Sequence, residues 1–175
     1  MQIVALQVHS PDTIACIGDN MQAHLIAPNP TLLGSGHSPM QLLKTYIVED
    51  SQVIRDSLIA ALEEMTPIQV VGIAEDEATA VRWLTESSNA ADLVIVDIFL
   101  KLGSGLGVLR AADRAQQPRT MVVLSNHATP EIRRRCAELG ASKVFDKSNE
   151  LDALMLYCGR LASGEAGNSV RGELN

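Results

Sequence analysis

From Lys44 onward, apolar positions along this chain follow two alternating rhythms. Short, nearly continuous apolar runs ("TYIVED", "IQVVGIA", "DLVIVDI", "TMVVLS", "SKVFDKS") are separated by longer stretches with apolar residues every three or four positions. The first rhythm predicts strands and the second predicts amphipathic helices. "SQVIRDSLIAALEEM" places Ile54, Leu58, Ala61, Leu62 and Met65 at helical spacing, with Ser51 as its cap. "DEATAVRWLTES" predicts a helix capped by Asp76, with Ala80, Val81 and Leu84 turned inward. "SGLGVLRAADRAQ" is a third helix. "TPEIRRRCAELG" has Thr129 at its cap, Pro130 at its first position and Gly140 at its stop. "ELDALMLYCGRLA" closes the series. Strand and helix thus alternate five times, which predicts an α/β fold with a doubly wound parallel sheet and helices on both faces. Runs such as "VIV" and "MVVL" suit strands covered on both sides.

Before Lys44 the pattern is lost. Residues 1–43 contain no Lys or Arg, and "APNPTLLGSGHSP" is turn chemistry. We expect an N-terminal extension over 1–43, partly disordered, with a short strand at "IVALQV". A single domain over 44–162 and a frayed tail over 163–175 would follow.

Composition narrows the class. The chain is 46% hydrophobic and 20% charged, ordinary for a globular protein, and carries a net charge of -7. That charge opposes non-specific binding to nucleic acid. The three cysteines form no CxxC or metal-ligand spacing, which predicts free thiols in a reducing compartment. The N-terminus has no basic, leader-like segment, and no apolar run approaches the roughly 20 residues that span a bilayer. A cytoplasmic protein without membrane contact is expected.

In an open α/β sheet, ligands bind outside the carboxyl ends of the strands. Here the first strand ends in Glu49 and Asp50, the third in Asp97, the fourth in Ser125 and the fifth in Lys147. Three carboxylates on one rim repel each other. Mg2+ relieves this, because it takes one or two carboxylates and leaves positions for water and phosphate oxygens. A lysine and a serine hydroxyl would complete a clamp for a transferred phosphoryl group, with a carboxylate as nucleophile. "GSGLG" lacks the spacing of a dinucleotide loop. Ser125 and His127 have no nucleophile elbow and no acid partner, so a hydrolase is rejected. A small flavodoxin-like enzyme is opposed by the absent phosphate loop and by aromatics at only 3%.

"VEDSQVIR", "VIVDIFL", "GSGLGVL", "VVLSNHA" and "GASKVFDKS" occur in order and at matching spacing. Together they make residues from Lys44 to about Ala162 resemble the receiver domain of two-component response regulators, the CheY-like fold. The resemblance implies the flavodoxin-like strand order 2-1-3-4-5. It implies that Asp97 is the phosphoacceptor, that Ser125 bonds the phosphoryl group and that Lys147 pairs with it. It also implies a Mg2+ site of Asp50, Asp97 and the Phe99 backbone carbonyl, with Glu49 acting through water. Ile54 and Arg55 match the apolar-basic pair early in the first helix. In this family, the positions of Phe99 and His127 tune hydrolysis of the aspartyl phosphate. Bulky Phe99 is expected to slow it.

The chain departs from the family at three places. Lys101 stands where proline is common, Ser148 follows Lys147 in place of proline, and Val144 stands where the switch aromatic is usual, with Phe145 one residue later.

The function implied is a phosphorylated signalling switch rather than an enzyme. A sensor histidine kinase or phosphotransfer protein would donate. Output would pass to a downstream protein through the face of the fourth helix, fifth strand and fifth helix. "RRR" at Arg133–Arg135 and the acids Glu150 and Asp152 lie there, and a homodimer through that face is a further option. With little chain after Lys147, we expect a stand-alone receiver without direct DNA binding. A phosphorylation-independent interaction module and a fragment of a longer transcriptional regulator are the alternatives.

Overall fold

The computed structural model describes residues 42–115 and 117–165. Residues 1–41 of the expected extension, with its strand at "IVALQV", and most of the expected tail lie outside them, while Leu43, expected in the extension, opens the first strand and is buried. Five strands and five helices alternate in the order β1 (Leu43–Val48), α1 (Gln52–Met65), β2 (Ile68–Ala74), α2 (Glu77–Thr85), β3 (Leu93–Val96), α3 (Gly105–Ala115), β4 (Thr120–Ser125), α4 (Pro130–Glu138), β5 (Lys143–Asp146) and α5 (Leu151–Ala162). All strand pairs are parallel, and the sheet order is β2-β1-β3-β4-β5. This is the doubly wound, flavodoxin-like arrangement.

Strand side chains alternate between faces, so the sheet separates two cores. On one face Tyr46, Val48, Val94, Val96, Met121 and Val123 pack against α2, α3 and α4 through Ala80, Leu84, Val108, Leu109 and Cys136. On the other, Ile47, Leu93, Ile95, Val122, Leu124 and Phe145 pack against α1 and α5 through Leu58, Leu62, Leu154 and Cys158. Every residue of central β3 is buried, whereas edge strand β2 alternates with exposure. The lone tryptophan, Trp83, stacks on Tyr46 with ring centroids 3.9 Å apart, and the Arg119 guanidinium lies 5.7 Å from its ring centre.

The helix starts follow local chemistry. Asp76 accepts a hydrogen bond from the Thr79 N–H at 2.8 Å, and Thr129 accepts one from Ile132 at 3.3 Å with Pro130 next in line. Ser51 occupies the N-cap of α1, but its side chain makes no capping bond. Its own N–H instead donates to Glu49 Oε1 at 3.1 Å.

The buried stripe of α1 also differs from the apolar stripe in the sequence. Arg55, Leu58 and Leu62 face inward, while Ile54 and Met65 are exposed. Arg55 can be buried because it has partners. Its Nη1 donates to the Glu49 carbonyl at 3.1 Å and pairs with Glu75 at 2.9 Å. No helix among the described residues is long and apolar enough to cross a membrane.

Candidate functional site

Strand register sets which residues meet. Val48 pairs with Val96 and Val96 with Val123, so Glu49 and Asp97 emerge side by side one residue beyond the paired run. Ser125 pairs with Asp146, which brings Lys147 to the same rim. Backbone bonds continue the ladder past the strand ends. Asp97 N–H donates to the Val48 carbonyl at 2.9 Å, and Lys147 N–H donates to the Ser125 carbonyl at 3.1 Å.

Glu49, Asp50 and Asp97 each offer a carboxylate oxygen within 4.8 Å of the others. Glu49 is 2% exposed and Asp97 7%. Such crowded, desolvated acids need cations. Lys147 supplies one: its Nζ donates to Asp97 Oδ2 at 2.6 Å and to Glu49 Oε2. Burial alone would pull the lysine toward its neutral form, but hydrogen bonds and charge from Asp97 and Glu49 outweigh it and raise its pKa. Lys101 supplies another cation more loosely, with Nζ 3.5 Å from Asp50 Oδ2. The Lys101 backbone N–H also donates to that oxygen, at 3.1 Å.

Ser125 is fully buried, and its Oγ has no hydrogen-bond partner. An orphaned hydroxyl at a rim of acids and a lysine is a group held ready for an acceptor. Phe99 N–H donates to Asp97 Oδ1 at 3.2 Å, so both carboxylate oxygens of Asp97 are oriented. The Phe99 ring is 53% exposed and meets the His127 ring edge-on, with centroids 5.0 Å apart. This pair bridges the loop after β3 to the loop after β4.

All the residues singled out at the strand ends therefore share one site. The oxygen-only donor set of Glu49, Asp50 and Asp97 fits a hard divalent cation such as Mg2+.

Sequence reading missed the groups that hold the loops. Glu77, the first residue of α2, accepts the Ser104 N–H at 2.7 Å and ties down the segment between β3 and α3. The glycines of "GSGLG" make this close approach possible. A Cβ on Gly107 would lie 1.9 Å from Glu77 Oε1, and one on Gly105 would lie 2.1 Å from the Asp97 carbonyl oxygen. They make room for the Glu77 side chain and for the Asp97 backbone. Nor is "RRR" a uniform solvated patch. Arg133 donates to the carbonyls of Ala128 and Val144 and to Glu150 Oε2 at 2.6 Å. Glu150 also accepts the Asp146 N–H at 2.6 Å, and these bonds hold its pKa low, the Arg133 bond most of all. Val144 and Phe145 point to opposite faces: Val144 packs with the α4 side, and Phe145 is buried against Tyr157.

Comparison with known proteins agrees with this geometry. A family model described as "Response regulator receiver domain" matches residues 45–158. A protein-glutamate methylesterase/protein-glutamine glutaminase of Myxococcus xanthus is 33% identical over 121 residues, covering 69% of this chain and 33% of its own length. The chain thus spans a third of that relative. A two-component response regulator of the LuxR family from Aurantimonas superposes with a TM-score of 0.64 at 21% identity, over 71% of this chain and 87% of that one. The response regulator domain of Thermotoga maritima CheB superposes with a TM-score of 0.60 at 18% identity, over 73% and 98% respectively.

Proposed function

This chain belongs to the response regulator receiver domain family, and on that premise we propose that it is a phosphoryl-accepting switch with Asp97 as the acceptor. The observation that carries the reading is the combination of a buried, oriented Asp97 bonded to Lys147 with a fully buried Ser125 hydroxyl that has no partner.

In this reading an Asp97 carboxylate oxygen attacks the phosphorus of a phosphohistidine on a sensor kinase or phosphotransfer protein. A P–O bond forms as the donor's P–N bond breaks, and the electron pair leaves with the imidazole. Lys147, already at Asp97, follows the charge onto the phosphoryl oxygens, and Ser125 Oγ donates to one of them. Asp50, Asp97 and the Phe99 carbonyl would hold Mg2+, with Glu49 acting through water. When bound, the ion offsets the charge of the carboxylates and of the incoming phosphoryl group.

A protein donor also needs a surface. An apolar cavity of about 250 Å³ opens beside Lys147, lined by Val53, Ile54, Leu58, Leu124 and Leu151. It would seat the donor's helix next to the acceptor. A shift of Ser125 toward the phosphoryl group would move the loop that carries Ala128, to which Arg133 is bonded. That would pass the change to α4, β5 and α5, the face we assign to a downstream protein partner or a second copy.

The test is incubation of the full chain with Mg2+ and acetyl phosphate, followed by intact mass. Wild type should gain one phosphoryl group and Asp97→Asn should gain none. Absence of the adduct with both small-molecule and protein donors would favour a phosphorylation-independent interaction module, the reading to which Val144 at the switch-aromatic position also points.

A further inference from the structure

Lys101 stands apart in the site because it is the exposed cation on a metal-ligand candidate. Its side chain is 75% exposed, whereas that of Asp50 is 13% exposed. Both its ammonium, at 3.5 Å, and its backbone N–H, at 3.1 Å, reach the same oxygen, Asp50 Oδ2. Lys147 is committed elsewhere, to Glu49 and Asp97. The two lysines therefore divide the three carboxylates between them. We propose that Lys101 is a tethered counter-cation that competes with the divalent metal for Asp50, raising the Mg2+ concentration at which the site fills.

The charge balance supports a competitive rather than a cooperative role. Lys147 cancels one of the three negative charges. A divalent ion cancels the other two, so Lys101 is surplus once the metal is bound. An ammonium held near Asp50 also repels an approaching cation. Because it is tethered, its local concentration does not fall on dilution, whereas that of the metal does. With its ammonium 3.5 Å away and largely in solvent, Lys101 is a weak partner for the mostly sheltered Asp50 carboxylate. The effect is thus a tuning of metal affinity and not a block. It is also screened by salt, because the Debye length falls to about 3 Å at 1 M.

This inference rests on the metal reading above. It is tested by calorimetric titration of Mg2+ into this chain and into its Lys101→Gln variant, which removes the charge and keeps the backbone N–H. At low salt Lys101→Gln should bind Mg2+ about two- to fivefold more tightly. The gap should close toward 1 M salt, and Lys101→Arg should stay near wild type. Equal affinities of wild type and Lys101→Gln at low salt would overturn the inference and leave the metal site standing. No binding heat in any variant would overturn both.

Discussion

Lys147 bonds two carboxylates that are themselves nearly excluded from solvent, and its own side chain is 8% exposed. Removing one partner from a buried charge group leaves the others uncompensated. Lys147→Met should therefore lower the unfolding free energy by about 3 kcal/mol in chelator, measured by urea denaturation. Part of that loss should return in Mg2+ if the ion binds only the folded chain. Phe99 acts on a different quantity. Its exposed ring meets His127 edge-on across the two loops at the site, and on the proposed function it would limit water at the aspartyl phosphate. Phe99→Asn should shorten the phosphoryl lifetime about tenfold, a barrier change of about 1.4 kcal/mol, with the fold unchanged. An unchanged half-life, followed by loss of the phosphorylated mass after the donor is removed, would count against the ring as a water barrier.

The loop between β3 and α3 shows how one element is held by another. Lys101 replaces a proline common in the family, yet the loop is not left loose. Asp50 and Glu77 each accept one of its backbone N–H groups. Two glycine replacements probe this arrangement and should differ sharply. Either alanine would favour helix α3 by about 1 kcal/mol. At Gly107 the nearest atoms to the new methyl are the movable end of Glu77, so the Ser104 bond is lost and the net cost should be about 1 kcal/mol. At Gly105 it meets the Asp97 backbone, which cannot retreat, and the cost should be about 3 kcal/mol. Thermal melts of the two variants give the comparison. The same loop marks the limit of what the sequence discloses. The strands, helices and strand-end residues were legible because each apolar run stops at polar residues and the fold gathers the stops of β1, β3, β4 and β5 on one rim. The pairings of Glu77, Arg55 and Arg133 within the chain were not legible. Their partners lie 27, 20 and 17 positions away, at Ser104, Glu75 and Glu150, and no period in the chain announces such pairings. Ile54 and Met65 misled for the complementary reason. They continue the apolar spacing of α1, but a paired arginine occupies the inward position.

For the whole molecule, both cores and the site tie stability to protons released at high pH. Burial pushes the Cys158 thiol up to about 12, and burial aided by Asp76 pushes the Tyr46 hydroxyl to about 12. Lys147 is raised by its carboxylate partners against its own desolvation. All three folded-state values lie above those of the unfolded chain, so the folded state holds these protons longer. The stability they contribute is complete below about pH 8.5, the ordinary thiol value. It is lost progressively as pH rises through the ordinary tyrosine and lysine values toward the folded ones. Melting temperatures under reducing conditions should fall steadily from pH 8 to pH 11. A flat profile would contradict the burial of these groups.

The stack of Trp83 on Tyr46 has a practical corollary. Tyr46 lies within β1 with its hydroxyl donating to the Ile73 carbonyl, and Arg119, beside the indole, precedes β4, so the ring pair packs between the sheet and α2 and makes no hydrogen bond to Asp97 or Lys147. An excited Tyr46 so close will pass its energy to the indole, and the emission will report on whether that contact survives. Intrinsic fluorescence should therefore trace global unfolding sharply and stay nearly silent when Asp97 is phosphorylated. An optical assay of the switch will need a fluorophore introduced near His127.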